Sequence, residues 1–315
     1  MILITGGMGF IGIHTARQLA REDELVLGYN RTLRPAAELQ ELVGAKVATV
    51  RLEVGNPYAV ARALAEYRPT SVVHLAVPAL GALPPAEESL VNVQSLMNVL
   101  ESARNAGIER VTVASSLAVY AGLAGGPFRE DRALPVESTS ATGAMKKAEE
   151  ILALHYADRT GLDLRLPRIG LTYGPLYHSL ANAVGRLTHL AVRGALPDGK
   201  SVTWTPQQLL GGMDLCHVED CARAVAAIHR AKSTAHRVYN VGGGASISAD
   251  ELFSAVAAAV PGAVLPEELR HTGARENADG YMDIGRVREE FDFAPQYDIT
   301  AGVRQYVDWL RGHDL

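Results

Sequence analysis

The chain has 315 residues, of which 48% are hydrophobic and 21% charged, and its formal net charge is −5. This composition is typical of a globular protein with a large core, and the mildly acidic balance argues against nucleic acid as the main partner. No apolar run reaches the length of a membrane span, and two cysteines form neither a disulfide framework nor a zinc site, so we expect a cytoplasmic protein without a metal site.

The chain opens on a strand, a glycine-rich turn and a helix. Residues 2–4 are apolar and predict a buried strand, residues 5–12 have the sequence TGGMGFIG, and residues 14–21 predict a helix. Because the first strand begins at once, we expect no signal peptide. A strand, a glycine-rich turn and a helix in this order form the first unit of a dinucleotide-binding fold.

Each glycine of this turn has its own expected task. We expect Gly6 and Gly7 to adopt positive φ angles in a tight turn. Gly9 allows the backbone to approach a pyrophosphate at the helix N-terminus, and Gly12 allows the helix to pack closely on the strand. The predicted cofactor contacts of this segment are Gly6, Gly9, Phe10, Ile11 and Gly12.

The second predicted strand, residues 25–29, ends where this fold meets the adenosine ribose. An acid at that position would bind the 2′-hydroxyl of NAD, but the sequence continues as Asn30, Arg31 and, three residues later, Arg34. Arginine side chains suit a phosphate, so these three residues are predicted cofactor contacts and favour NADP over NAD. The alternative is that both arginines are solvated loop charges.

The third and fourth predicted strands, residues 46–50 and 71–75, also end in candidate cofactor residues. Glu53 and Val54 follow the third strand, where a carboxylate can meet the adenine amino group. The turn after the fourth strand, formed by Ala76, Val77 and Pro78, consists of small residues suited to lining a cofactor. The predicted cofactor contacts here are Leu75, Ala76 and Val77.

Strands and helices continue to alternate along the chain. Further strands are predicted at 110–114, 162–168 and 238–241, with a long helix at 140–160. This alternation predicts an α/β fold with a doubly wound parallel Rossmann sheet of about seven strands. We expect residues 1–171 and 214–242 to form the dinucleotide-binding domain, and residues 172–213 and 243–315 a smaller, discontinuous substrate domain.

Several motifs in this order resemble those of the extended short-chain dehydrogenase/reductases, in the NAD-dependent epimerase/dehydratase family. The motifs are TGGMGFIG, VVHLAV, ERVTVASSLAVY, LPRIGLTYGP, MDLCHVEDCARAV and YNVGGGASISADEL. The resemblance implies an NAD(P)-dependent oxidoreductase or epimerase that moves hydride between nicotinamide and a sugar-like or small carbonyl or hydroxyl substrate. It also implies a homodimer through the helices near residues 90–106 and 141–160, and a cofactor contact at Arg168.

In that family a Ser or Thr, a Tyr and a Lys act together in hydride transfer. Ser116 matches the first and Lys146 the last, but the tyrosine position holds Thr142. Pairing with Lys147 instead would place Gly143 at the tyrosine position. The family tyrosine exchanges a proton with the substrate oxygen, and a threonine hydroxyl is far too weak an acid to replace it.

Three explanations of the threonine remain open from sequence. Another residue supplies the proton, with Tyr120, Tyr177 and His178 as candidates. Water held by Ser116, Thr142 and Lys146 does so. Or the protein binds its cofactor without turnover, as a sensor or partner protein.

The substrate half departs from the family as well. Enzymes acting on nucleotide sugars usually carry Asn and Arg where this chain has Leu171 and Met213, whereas Arg275 matches a late phosphate-binding arginine. A smaller or more apolar substrate suits Leu171 and Met213 better, while a nucleotide-sugar epimerase or dehydratase with unusual proton-transfer residues remains the alternative. The predicted substrate contacts are Ser115, Tyr177, His178 and Arg275.

Overall fold

The computed structural model describes residues 1–78, 83–138, 140–178, 180, 182–196, 214–265 and 280–313. Eight strands form a central parallel sheet: β1 Ile2–Thr5, β2 Leu25–Tyr29, β3 Ala48–Arg51, β4 Ser71–His74, β5 Arg110–Val113, β6 Ser115–Ser116, β7 Asp163–Ile169 and β10 Val238–Val241. Two further strands, β8 Leu171–Tyr173 and β9 Leu215–His217, form a separate parallel pair.

Helices lie between most of the strands, and three more follow β10 among the described residues. They are α1 Phe10–Leu19, α2 Ala36–Val43, α3 Pro57–Tyr67, α4 Pro85–Asn105, α5 Ala141–Thr160, α6 Ala183–Arg193, α7 Val218–Arg230, α8 Ala249–Ala259, α9 Gly285–Phe291 and α10 Ile299–Gly312. A short 3₁₀ helix covers Leu117–Tyr120. Within these described ranges, no helix is both long and apolar enough to cross a membrane.

The strand order of the sheet is β10-β7-β5-β4-β1-β2-β3, with β6 also paired to β7. The order reverses beside β1, which pairs with β2 on one side and β4 on the other. In a doubly wound sheet, ligands bind outside the carboxyl ends of the strands at this reversal. The predicted fold class is therefore confirmed, and the sheet directs attention to the turns that follow β1, β2 and β4.

The central strands carry runs of buried apolar residues because helices cover both faces of a parallel sheet. β1 is buried along its whole length. Leu3, Val72 and Val111 occupy three adjacent strands in register and belong to one hydrophobic cluster, which Leu96 and Leu100 of α4 also join. This packing fixes the positions at which the strands end.

The chain divides into two compact units. The first comprises residues 1–123, 133–169 and 222–239, and the second comprises 124–132, 170–221 and 240–315. Within the second unit, Val303, Tyr306 and Val307 of α10 are fully buried in a core shared with α6 and α8. Residues 124–132 lie in the second unit, whereas the sequence-based division placed them in the first domain.

Polar side chains cap two helices of the second unit. A capping box begins α8, since Ser248 Oγ accepts a hydrogen bond from the N–H of Glu251 and the Glu251 side chain accepts one from the N–H of Ser248. Helix α10 is capped by Asp298, whose Oδ1 accepts a hydrogen bond from the N–H of Ala301 at 2.7 Å.

A buried histidine of α7 links two strands in the first unit. His229 Nε2 lies 2.9 Å from Ser71 Oγ, and its Nδ1 lies 2.8 Å from Thr112 Oγ1. The pKa of His229 is lowered to about 3, mainly by burial and to a smaller extent by the charges of Arg110 and Arg165. The ring is therefore neutral in the folded protein at physiological pH.

This histidine predicts acid sensitivity. Below about pH 6.5 His229 becomes protonated in the unfolded chain, whereas in the folded protein it stays neutral down to about pH 3. The free energy of unfolding therefore falls as the pH drops from 6.5 to 3. One such group contributes a slope of about 1.4 kcal/mol per pH unit. We expect His229→Gln to reduce the loss of melting temperature between pH 7 and pH 5. His155→Gln, at an exposed position of α5, is the control, and an unchanged loss in His229→Gln would contradict the prediction.

Candidate active site

The turn after β1 has the close backbone contacts that require glycine. Gly6 has φ +67°, and a Cβ added there would lie 2.9 Å from the backbone nitrogen of Ala76. A Cβ on Gly12 would lie only 2.2 Å from the carbonyl oxygen of Gly6. The expectation of a positive φ at Gly7 is wrong: that glycine is needed for space, because a Cβ would lie 2.9 Å from the carbonyl oxygen of Ile4.

Helix α1 begins in a way that suits a phosphate. Its N-cap is Gly9, with φ −78° and ψ 176°, so no side chain caps the helix, and no acidic residue lies in its first turn. The N-terminal N–H groups of a helix have no partner within it and carry partial positive charge. Phe10 and Ile11 lie in this first turn. The residues present therefore fit the pyrophosphate of a dinucleotide.

A cavity of about 510 Å³ lies beside this turn, within the first unit. The predicted cofactor residues that line it are Gly6, Gly9, Asn30, Arg31, Glu53, Val54, Leu75, Ala76 and Val77. Pro78, in the turn predicted to line a cofactor, lines it as well. Seven further lining residues were not predicted: Met8, Gly28, Tyr29, Thr32, Leu52, Gly55 and Val91. Most of these adjoin a predicted residue in the chain, whereas Val91 of α4 carried no local signal.

The two arginines after β2 have different surroundings. Arg31 is exposed and lines the cavity. Arg34 forms a short ion pair with Glu38 of α2, and its Nε donates to the carbonyl oxygen of Met8 at 3.5 Å. A phosphate bound by Arg34 would compete with Glu38. This pair was not predicted, because no helix was expected at residues 36–43.

Lys146 of α5 is buried at the carboxyl end of the sheet. Its Nζ donates to the carbonyl oxygen of Ala114, directly after β5, at 2.9 Å, and to Glu149 Oε2 at 2.7 Å. The pKa of His74 on β4 is lowered to about 3, mainly by burial and to a smaller extent by the charge of Lys146. His74 Nδ1 lies 2.7 Å from Thr5 Oγ1, so this histidine is neutral and packed beneath the site.

The neighbouring lysine points elsewhere. Lys147 Nζ donates to the carbonyl oxygens of Ala121, at 3.2 Å, and Glu137, at 2.6 Å. Both carbonyls belong to the first unit, on either side of residues 124–132 in the chain. Only Lys146 of the two contacts the end of a sheet strand, which agrees with its match to the family lysine.

Ser116 and Thr142 are both half-buried. Ser116 caps the 3₁₀ helix, and its Oγ accepts a hydrogen bond from the N–H of Ala118 at 3.1 Å. Thr142 lies in the first turn of α5, four residues before Lys146, so the two side chains share one helix face. The predicted catalytic roles of these residues stay predictions.

Three other predicted site residues form a buried network. Arg168 donates through Nε and Nη2 to the two carboxylate oxygens of Glu150, at 2.9 and 2.7 Å, and through Nη1 to Tyr120 Oη at 2.8 Å. Ser115 Oγ donates a short hydrogen bond to the same carboxylate. Tyr120 is 2% exposed and Arg168 is 4% exposed. These contacts hold β7, α5 and the 3₁₀ helix together, and none of the three residues lines the cavity.

The remaining predicted substrate contacts belong to the second unit or lie outside the described residues. The carbonyl oxygen of Tyr177 accepts from Tyr306 Oη at 2.7 Å, and the ring of His178 packs edge-on against Trp309 with centroids 5.5 Å apart. Leu171 is 38% exposed at the start of β8. Met213 and Arg275 lie outside the described residues.

Comparison with known proteins agrees with this geometry. A sequence model of the NAD dependent epimerase/dehydratase family matches residues 2–242. A UDP-glucuronate 4-epimerase of Thermodesulfobacterium geofontis is 26% identical over 332 residues, covering 98% of this chain and 95% of that protein. A dTDP-glucose 4,6-dehydratase of Streptomyces griseus is 32% identical over 225 residues, covering 70% of this chain and 65% of that protein.

Solved structures agree as well. The UDP-glucose 4-epimerase of Thermus thermophilus, in complex with NAD, superposes with a TM-score of 0.78 at 28% identity, and the match covers 99% of each chain. The UDP-glucose 4-epimerase of Thermotoga maritima superposes with a TM-score of 0.82 at 20% identity, which shows the shared fold.

Proposed function

The chain belongs to the NAD dependent epimerase/dehydratase family and is an enzyme of that family; we propose that it uses NAD to oxidise and reduce a hydroxyl-bearing carbon of a nucleotide sugar. The observation that carries this proposal is the cavity beside the glycine-rich turn, with Lys146 buried at the carboxyl end of β5. Relatives named as nucleotide-sugar epimerases align with 98% of the chain.

NAD supplies the hydride acceptor when it is bound. The first turn of α1 would hold its pyrophosphate, Glu53 and Val54 would lie beside the adenine, and Lys146 would bind the ribose hydroxyls. Ser116 would donate to the reacting oxygen of the substrate. Glu53 and Val54 line the cavity, whereas the roles proposed for Lys146 and Ser116 rest on their match to the family motifs.

The expected preference for NADP is not supported. The family is NAD dependent, and the Thermus thermophilus epimerase was solved with NAD. In this chain Arg34 is already paired with Glu38, which leaves Arg31 as the cation lining the cavity at the ribose end.

The cofactor is identified from the purified protein. We expect mass spectrometry of the denatured supernatant to find NAD⁺, and calorimetry of the cofactor-free protein to give at least tenfold weaker binding of NADP⁺. Gly12→Ala is the matched control and should bind neither, because its Cβ would overlap the carbonyl oxygen of Gly6. Tighter NADP⁺ binding would contradict the cofactor assignment. Failure to convert any of UDP-glucose, UDP-glucuronate and dTDP-glucose would contradict the proposed substrate class.

A homodimer is part of the proposal. Leu90 of α4 and Ile151 of α5 are 72% and 67% exposed, and the two helices that carry them pack against each other. Association of two copies through α4 and α5 would cover them.

A further inference from the structure

The ammonium of Lys146 and the carboxylate of Glu149 form an ion pair inside the first unit. The distance from Nζ to Oε2 is 2.7 Å, and the two side chains are 9% and 10% exposed. Breaking such a pair is costly, because either charge alone is buried without compensation. The family pattern that identifies Lys146 assigns no task to Glu149.

The site has lost the residue that ordinarily exchanges a proton with the substrate. Thr142 occupies the tyrosine position, and an aliphatic hydroxyl passes a proton along a hydrogen-bonded chain but does not retain the negative charge. Thr142, Lys146 and Glu149 are spaced by four and three residues on α5, so all three lie along one face of the helix.

Other proton carriers near Lys146 are engaged elsewhere in the fold. Tyr120 Oη and the Glu150 carboxylate bond to Arg168. His74 bonds to Thr5, and burial keeps it neutral. Among the described residues, Glu149 is the carboxylate that bonds directly to Lys146.

We propose that Glu149 holds, through Lys146, the proton released by the substrate and so replaces the missing tyrosine as the final proton acceptor. When the substrate is oxidised, bound NAD⁺ would supply the hydride acceptor. The Lys146 ammonium would give a proton to the Glu149 carboxylate, take one from the Thr142 hydroxyl in its place, and Thr142 would take the hydroxyl proton of the substrate. The products are a carbonyl, NADH and a neutral Glu149, and the reverse step returns the same proton and hydride. Glu149 acts on the substrate only through Lys146, to which its carboxylate is hydrogen-bonded. This inference rests on the proposed function.

The first test needs no substrate. If Glu149 supplies the negative charge that balances Lys146, then Glu149→Gln leaves an extra positive charge near the cationic nicotinamide of NAD⁺ but not near the neutral ring of NADH. We expect the dissociation constant of NAD⁺ to rise about fivefold or more, and that of NADH to change less than twofold. Fluorescence titration and calorimetry of the full-length protein measure both. A structural role alone would weaken both cofactors equally, and that result would overturn the proposal.

The second test follows reduction of enzyme-bound NAD⁺ by absorbance at saturating UDP-glucose, UDP-glucuronate or dTDP-glucose. We expect Glu149→Gln to lower kcat about 10²–10⁴-fold with less than a threefold change in KM. Thr142→Tyr in the same background should restore kcat to within tenfold of wild type, because a phenol then carries the proton. Asp158→Asn, which alters an exposed ion pair of α5, is the matched control.

Each other outcome is decisive. A Glu149→Gln variant with unchanged kcat, or one that Thr142→Tyr does not rescue, overturns the proposal. So does a wild-type protein that is inactive while Thr142→Tyr alone is active. If the wild-type protein and Thr142→Tyr both bind NAD⁺ and neither reduces it with any of the three sugars, the proposed function itself fails. The ratio of NAD⁺ to NADH affinity in Glu149→Gln then still decides whether Glu149 balances the charge of Lys146.

Discussion

Lys146→Met is expected to weaken NAD⁺ binding at least tenfold and to slow hydride transfer about 10²–10⁴-fold. The ammonium contacts the carbonyl oxygen of Ala114 at the end of β5 and is the group that would bind the ribose hydroxyls. Its removal also leaves Glu149 buried without a partner, at a cost of about 3–5 kcal/mol in unfolding free energy. Calorimetry measures the binding, and urea unfolding measures the stability.

The neighbouring lysine provides a matched control. Lys147 is also buried, and its ammonium bonds to two carbonyl oxygens in segments away from the cavity. Lys147→Met should therefore lose stability while keeping its affinity for NAD⁺. To separate the effect on stability from the effect on NAD⁺ binding, Lys146→Met is compared with Lys146→Met/Glu149→Gln, in which no buried carboxylate is left without its cation. If Lys147→Met loses NAD⁺ affinity and Lys146→Met does not, the match to the family lysine is off by one residue.

The fold was largely predictable because its signals are local. Each of the seven predicted strands is present, since a buried parallel strand is a short apolar run that a turn or helix follows. Strands β8 and β9 have only three residues each, too few for any period to show. Helix α2 was missed as well; its eight residues are preceded by a proline and no side chain caps it.

The cleft was predictable for a similar reason, because residues that follow strands in a doubly wound sheet gather at one edge. The pairing of charges inside the first unit was not. Glu149 and Glu150 are adjacent in the chain, yet one pairs with Lys146 and the other with Arg168. Adjacent helix positions point about 100° apart, so the two partners depend on the packing of α5 against the sheet.

The Arg168–Glu150 network predicts a second large effect. Glu150→Ala is expected to lower the free energy of unfolding by about 3–5 kcal/mol, because it leaves the Arg168 guanidinium buried without its carboxylate. Both side chains are 5% exposed, and two hydrogen bonds join them. Urea unfolding followed by circular dichroism measures the loss. Glu101→Ala, which removes a half-exposed carboxylate of α4, is the control and should cost less than about 1 kcal/mol.

The double variant Arg168→Met/Glu150→Leu separates the pair from the space it fills. Buried ion pairs replaced by apolar side chains of similar volume often retain stability, so the double variant should recover most of the loss seen in Glu150→Ala. The same protein tests the predicted cofactor contact at Arg168. Since the guanidinium bonds to Glu150 and Tyr120 and lies away from the cavity lining, we expect NAD⁺ affinity to stay within about threefold of wild type, or 0.7 kcal/mol. A greater loss of affinity in a stably folded double variant would show that Arg168 acts on the cofactor.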